Sequence, residues 1–447
     1  MSLSMRHAFS LFLVASLCAA QTAQQQTKSI GQLTIRDLFK QGGLTGRGPE
    51  TIKWSPDGTK VSYVLRDDAG ERGELWYIDT SSGKAAVLVS AERLAGLAPP
   101  NSSISDPREQ ERRSRYGVAG YHWAPDSKHL LFDSKGQLWY YRLDTGTATQ
   151  LTTASDPQQD PKFSPDGHYI SFVKKHQLYV RKVDSEQERE RELTTAQETA
   201  PRIRQDEQKA KAQKAEKERD KEEPGQKLED NILNGEVDWV YGEELDVRSN
   251  YFWSPDSRQL VFLQMDETSV PVYPIEDFIP KHPSVDYQKY PKAGDNNPAV
   301  RIGVVGRDGG KVKWVEPPKE VVAWKEWYTP RFGWVNANVI YAMYLNRKQD
   351  TLKLVFTDLK SGVSRTVLEE KSEPFLEVND MFQIFKSGDK FLWGSWRDGH
   401  THLYVYSFDK ANPVGVEAKL VNQVTKGDFE VQSVLALDET NGVVYYE

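Results

Sequence analysis

The sequence of 447 residues is 38% hydrophobic and carries 12 Trp, 20 Tyr and 17 Phe, enough to bury a large β-type core. Length alone favours two or three domains, unless one fold grows by repetition. A formal net charge of −7 with no basic stripe argues against nucleic acid as a partner, and a single cysteine, Cys18, excludes an internal disulfide.

At the N-terminus, Arg6 precedes an apolar run over 8–18, and Ala19-Ala20 then leads into a Gln/Thr-rich tail. This order reads as a signal peptide over 1–20, too short for a spanning helix, and predicts an exported protein, periplasmic or secreted. Cleavage after Ala20 would leave a mature chain without cysteine; Leu17 fits a lipoprotein box poorly, which disfavours lipidation at Cys18. Residues 21–45 read as a linker and N-terminal segment, with a small amphipathic stretch at 33–39.

The pattern aromatic-Ser/Ala-Pro-Asp-Gly/Ser then occurs four times: Trp54-Ser55-Pro56-Asp57-Gly58, Trp123-Ala124-Pro125-Asp126-Ser127, Phe163-Ser164-Pro165-Asp166-Gly167 and Trp253-Ser254-Pro255-Asp256-Ser257. Pro presets φ for position i+1 of a tight turn, and Asp with Gly or Ser completes it, so each copy predicts a hairpin. Each leads into a β-rich run, at 60–64, 129–132, 169–173 and 259–263. Hairpin units recurring about every 40 residues are the signature of propeller blades. The predicted fold is all-β, a β-propeller over 46–447 of about seven to eight blades, the chain ending in or just before the last one.

Between the third and fourth copies lies a segment, 185–229, whose centre is dominated by Lys, Glu, Gln, Arg and Ala. Strong helix formers with (i, i+4) charge pairs predict a solvated helix or a disordered excursion inserted into the propeller.

Directly after it stands Asp238-Trp239-Val240-Tyr241-Gly242-Glu243-Glu244. Glu-Glu pairs are common on solvated loops. Yet adjacent carboxylates repel, and holding both ionised calls for a cation, from Arg, Lys or a ligand's ammonium group. The motifs that follow are Phe252-Trp253-Ser254-Pro255-Asp256, Asp266-Glu267-Thr268-Ser269-Val270-Pro271 and Tyr290-Pro291-Lys292-Ala293-Gly294-Asp295-Asn296-Asn297-Pro298. Later come Gly399-His400-Thr401-His402-Leu403-Tyr404 and Thr425-Lys426-Gly427-Asp428-Phe429-Glu430-Val431.

In this order, from about Leu33 to the C-terminus, the chain resembles the dipeptidyl peptidase IV family of the prolyl oligopeptidase superfamily of serine peptidases. The resemblance implies an N-terminal propeller covering an α/β-hydrolase domain, with peptide substrates bound between them by their free N-terminus. It assigns Glu243 and Glu244 to the substrate's α-ammonium group and lets Trp239 and Tyr241 pack beneath the pair. Gly242 departs from the acidic residue expected there. The family also braces the substrate with an Arg from an earlier blade, where this chain offers Lys135, either a replacement or a simple turn residue. At Glu370-Lys371-Ser372-Glu373-Pro374 it lacks the substrate-facing Arg that some members carry.

No Gly-x-Ser-x-Gly nucleophile elbow occurs in the sequence. The eight His show no metal-ligand spacing, and His400, His402 and those at blade turns read as surface residues. No metal or cofactor is expected. The expectation is therefore the propeller portion of an exported serine dipeptidyl peptidase, without the catalytic Ser, Asp and His and inactive alone, its partners being peptides with a free N-terminus and the hydrolase domain of the complete protein. A homodimer is left open. The alternative is a stand-alone, non-catalytic propeller that binds peptides or a protein.

Overall fold

Each aromatic-Ser/Ala-Pro-Asp motif forms a tight turn between antiparallel strands in the computed structural model. The residue after Asp donates its N–H to the carbonyl three positions back: Gly58 to Ser55 at 2.9 Å, Ser127 to Ala124 at 3.0 Å, Gly167 to Ser164 at 2.8 Å and Ser257 to Ser254 at 2.9 Å. All four adopt positive φ, which suits the two glycines and strains Ser127 and Ser257. The serines offset that strain. Ser127 Oγ accepts the N–H of Asp57 at 3.0 Å and Ser257 Oγ that of Asp166 at 2.9 Å, so each turn is stitched to the preceding one.

The structure describes residues 34–38, 44, 46, 48–66, 73–96, 120–134, 137–153, 156–184, 189–198, 231–279, 281–373 and 375–447. The expected signal peptide, Cys18, Lys135 and most of the 185–229 insertion lie outside them.

The described residues within 1–54 and 60–96 form one unit. In it a short helix α1 (Ile35–Leu38) is capped reciprocally by Thr34 and Asp37. A four-stranded sheet follows, β1 (Glu50–Trp54), β2 (Lys60–Arg66), β3 (Gly73–Asp79) and β4 (Ala85–Val89), and then α2 (Ala91–Gly96).

The described residues within 55–59 and 97–447 form the other unit. Its sheets run in sequence order and are antiparallel. They are β5 (Tyr121–Trp123), β6 (His129–Ser134), β7 (Gln137–Arg142) and β8 (Thr147–Gln150); then β9 (Gln159–Phe163), β10 (Tyr169–Lys174), β11 (Gln177–Lys182) and β12 (Arg191–Glu192). The next sheet holds β13 (Ile232–Asn234), β14 (Tyr251–Trp253), β15 (Gln259–Asp266), β18 (Ala299–Gly306) and β19 (Lys313–Val315). A separate hairpin, β16 (Val272–Asp277) and β17 (Ser284–Lys289), projects between its strands β15 and β18 in sequence. After helices α3 (Trp239–Glu243) and α4 (Lys319–Val322) come β20 (Trp327–Asn336), β21 (Val339–Asn346), β22 (Thr351–Asp358) and β23 (Ser364–Lys371). The last sheets are β24 (Gln383–Ile384), β25 (Lys390–Ser395), β26 (His402–Ser407) and β27 (Lys419–Gln423), and β28 (Val434–Asp438) with β29 (Val443–Tyr446).

These are the sheets of a β-propeller. Among the described residues the last has two strands. Part of the expected insertion belongs to a blade instead. Strand β12 pairs with β11, and the Leu193 N–H donates to Leu178 O at 2.8 Å, because Leu193 and Thr194 are buried there despite their charged neighbours.

Neighbouring sheets share their apolar faces. The largest core cluster joins Val261, Leu263, Ile302 and Val304 of one sheet to Phe332, Ile340, Leu354 and Phe356 of the next. A polar tie crosses another boundary, where the Trp253 indole N–H donates to Ser171 Oγ at 2.7 Å.

Candidate functional site

The glutamate pair sits on an excursion from one blade. Strands β13 and β14 pair with the same edge of β15, at residues 264–266 and 260–262 respectively, so the chain leaves that edge after Asn234 and returns at Tyr251. Leu263 closes the gap: Gly235 N–H donates to Leu263 O at 3.0 Å, and Leu263 N–H donates to Asn250 O at 3.0 Å. Gly235 turns away from β13 at φ +74°, and a Cβ there would lie 2.7 Å from Leu178 Cδ2, so only glycine fits.

Within the excursion, Asp238 starts the single-turn helix α3 by accepting the Tyr241 N–H on its carboxylate at 2.9 Å. Val240, Tyr241 and Gly242 face inward, and Leu245 and Val247 continue the buried face. Tyr241 is 1% exposed; its phenol oxygen accepts the Thr329 N–H at 2.9 Å, and its ring meets Tyr328 edge-on at 6.4 Å. That N–H is available because the β20–β21 register shifts between Tyr328 and Arg331.

With the inner face filled, Glu243 at the last position of α3 and Glu244 at its C-cap are both exposed. Glu244 keeps helical backbone and donates its N–H to Val240 O at 2.9 Å. Two guanidinium groups bind the carbonyls that flank the pair. Arg248 Nη1 donates to Gly242 O at 2.7 Å and also pairs with Asp246; Arg331 Nη1 donates to Leu245 O at 2.9 Å and its Nε to Asp380. Cations at a helix C-terminus satisfy its orphan carbonyls and oppose its negative end. Trp239 is half-buried, its ring 4.2 Å from that of Tyr290, which in turn lies 5.6 Å from Tyr273.

Behind α3 lies a group of buried acids. Asp238 is 7% exposed, and burial pushes its carboxyl up to about 6 against the hydrogen bonds it accepts. Glu267, also 7% exposed, is pushed up to about 8, by burial first and then by Asp238 and Glu236, with Lys289 and His176 opposing. Glu236 Oε2 lies 2.8 Å from His176 Nδ1 in the two-residue turn between β10 and β11.

Of the residues singled out in the sequence, Glu243 and Glu244 are exposed at the end of α3, Tyr241 lies on its buried face and Trp239, half-buried, is its first residue. Lys135 is outside the described residues. No Arg precedes Pro374, but Arg397 of the following sheet reaches Glu370: its Nη2 donates to Glu370 Oε1 at 2.6 Å and Nη1 to Tyr406 OH at 2.7 Å. Sequence reasoning missed Arg248, Arg331 and Arg397; the last two reach Leu245 and Glu370, 86 and 27 positions away, and Arg248 reaches the backbone carbonyl of Gly242. It also placed His402 on the surface. The ring is 1% exposed, with Nδ1 3.1 Å from Thr425 Oγ1 and Nε2 3.1 Å from Gly427 O, because strand β26 turns it inward where both partners wait. No group of three or more His, Cys, Asp or Glu able to hold a metal ion occurs among the described residues.

The fold is a β-propeller, one blade of which opens to present a helix ending in two exposed glutamates. A family profile described as "Dipeptidyl peptidase IV (DPP IV) N-terminal region" matches residues 124–202 and 214–447, and the chain belongs to that family. The interval between the two matched segments, 203–213, falls in the charged run. A chain named probable dipeptidyl-aminopeptidase B in Aspergillus oryzae is 24% identical over 489 aligned positions, covering 97% of this chain and 47% of that one. Mouse inactive dipeptidyl peptidase 10 is 29% identical over 225 positions, covering 48% of this chain and 28% of its own length. The crystal structure of Porphyromonas gingivalis dipeptidyl peptidase 4 matches with a TM-score of 0.65 at 25% identity, over 89% of this chain and 49% of that one. The chain thus spans half or less of the length of these relatives. No helix among the described residues is long and apolar enough to cross a membrane.

Proposed function

We propose that the chain is the substrate-recognition propeller of an exported serine dipeptidyl peptidase, in which Glu243 and Glu244 bind the free α-ammonium group of a peptide. The observation that carries this reading is their placement: both carboxylates are exposed at the end of a helix whose other face is buried and whose flanking carbonyls are held by Arg248 and Arg331. An ammonium group donates three N–H bonds, and two adjacent carboxylates offer acceptors enough to take them as charge-assisted bonds. Anchoring the N-terminus fixes how far the chain reaches toward a hydrolase domain, which is how such a site measures a dipeptide. An acetylated N-terminus supplies neither the charge nor the donors.

Calorimetric titration with a short Xaa-Pro peptide tests the assignment. The free-amine form should bind at least about tenfold more tightly than its N-acetylated counterpart, a difference of about 1.4 kcal/mol. Equal affinity overturns the role of the pair. A second reading, a propeller that binds peptides without cleaving them, has support from the mouse relative, whose name marks that protein as inactive. Both readings share the ammonium site and differ only in chemistry done elsewhere.

A further inference from the structure

Strand β20 reaches the excursion at two points, and Pro330 lies between them. Pro330 has no N–H to give the β20–β21 ladder, and three steps along β20, from Tyr328 to Arg331, oppose two along β21, from Leu345 to Met343. The resulting bulge re-aims the groups on either side of the proline. On one side the Thr329 N–H turns to the Tyr241 phenol at 2.9 Å; on the other the Arg331 side chain runs to Leu245 O, also at 2.9 Å. Leu245 immediately follows Glu244, so β20 holds α3 at its buried face and again just past the glutamate pair. The same Nη1 of Arg331 also donates to Pro330 O at 2.9 Å, and its Nε pairs with Asp380 in the approach to β24. One planar guanidinium thus joins three successive blades: the excursion of the first, the bulge of the second and the approach to the third. Arg248 is placed differently. Both of its partners, Gly242 and Asp246, belong to the excursion, and its side chain is 48% exposed against 17% for Arg331. It braces the turn locally, whereas Arg331 ties the end of the pair to the rest of the propeller.

We propose that Arg331 is a positioning residue for Glu243 and Glu244, held in its own place by Asp380, and that the two following blades thereby set where the pair stands. The consequence for binding rests on the ammonium-binding reading; the restraint itself does not. Without the guanidinium, the carbonyl just past Glu244 loses its partner and the end of α3 can shift. An ammonium group then meets a pair that must be ordered as it binds, and the cost of that ordering comes off its affinity. A peptide that makes no use of the pair does not feel the change.

Amide hydrogen exchange in the whole chain reads the restraint without any ligand, at Glu244 and Val247, whose N–H groups donate to Val240 O and Tyr241 O. Arg331→Met keeps much of the side chain's length and loses its donors; it should raise exchange at both amides about tenfold, the usual worth of one charge-assisted bond. Arg331→Lys keeps the charge but not the fork that spans both partners, and should recover only part of that protection. Arg248→Met gives up a half-exposed contact that water replaces, and should raise exchange no more than about threefold. Titration with the free-amine Xaa-Pro peptide should show affinity falling in the same order, with the weaker binding of the acetylated peptide unchanged. Unchanged exchange in Arg331→Met, an equal rise in Arg248→Met, full recovery in Arg331→Lys, or a loss of affinity shared equally by both peptides overturns the proposal. If Arg331→Met does not fold, Asp380→Ala decides, because that side chain is 71% exposed: exchange at Glu244 and Val247 should rise about threefold, and no rise overturns the proposal. If the parent chain binds free and acetylated peptides alike, the ammonium reading fails while the exchange results stand by themselves.

Discussion

The backbone N–H of Thr329 donates to the phenol oxygen of Tyr241 at 2.9 Å, across the boundary between two sheets. Both residues are buried, so no solvent replaces the partner if the hydroxyl is removed. Tyr241→Phe should therefore leave an orphaned donor and cost about 1–3 kcal/mol of stability. Urea denaturation at constant m-value measures it, and a change below about 0.5 kcal/mol would show that the bond is dispensable.

Glu243 and Glu244 are predicted to act together. If the proposed ammonium site serves a complete peptidase, Glu243→Ala or Glu244→Ala should cost roughly 2–5 kcal/mol in kcat/KM there, the range for removing one partner of a charge pair that bound substrate would cover. Because both side chains are exposed, neither change should lower thermal stability appreciably. Steady-state kinetics with an Xaa-Pro chromogenic substrate and a melting curve together check the two halves of this statement.

Gly235 should tolerate no side chain. A Cβ at φ +74° meets Leu178 Cδ2 at 2.7 Å, and strain plus overpacking for Gly235→Ala should sum to about 2–4 kcal/mol. Equilibrium unfolding of the variant gives the number, and a neutral outcome would mean that the exit from β13 adjusts freely.

Glu267 supplies a signed pH dependence. Below about 4.5 both folded and unfolded states hold its proton; between 4.5 and about 8 only the folded state does, and above that neither does. Stability from this group is thus full at acid pH and lost as pH rises through that window. Glu267→Gln cannot lose a proton, so its advantage over the parent chain should grow from near zero at pH 4 to roughly 2–5 kcal/mol above pH 8. Melting temperatures of the two proteins across that range provide the check, and parallel curves would remove Glu267 from the account.

Much of this was legible in the sequence. The four Pro-Asp turns marked one hairpin in each of four sheets because Pro and a left-handed Gly or Ser fix a turn within five residues, whatever the rest of the chain does. The glutamate pair was legible for a similar reason: Asp238 to Glu244 is one continuous segment, and a capped, one-sided helix needs no distant partner to be recognised. What holds that segment was not. Arg331 meets Leu245 and Thr329 meets Tyr241 through backbone atoms of another sheet, and a backbone carbonyl has no sequence signature. His402 was misplaced because alternation along β26 gives two faces but not which is inward; Thr425 and Gly427, after β27, decide it. Strand β12 was hidden by composition, since Arg191 and Glu192 are exposed and only the buried Leu193 that follows marks an ordered strand end.

Leu263 uses both of its main-chain groups to shut the mouth of the excursion, one to Gly235 and one to Asn250. The blade is thereby complete on its own terms: the ladder along β15 runs through residues 260–266 as though no detour had been taken. Everything from Glu236 to Ser249 behaves as a cartridge in a socket. Its length can change without altering the pairing along β15, since closing a longer loop on fixed ends adds only a slowly growing entropic cost. A scaffold arranged in this way separates the evolution of what is recognised from the evolution of what is folded.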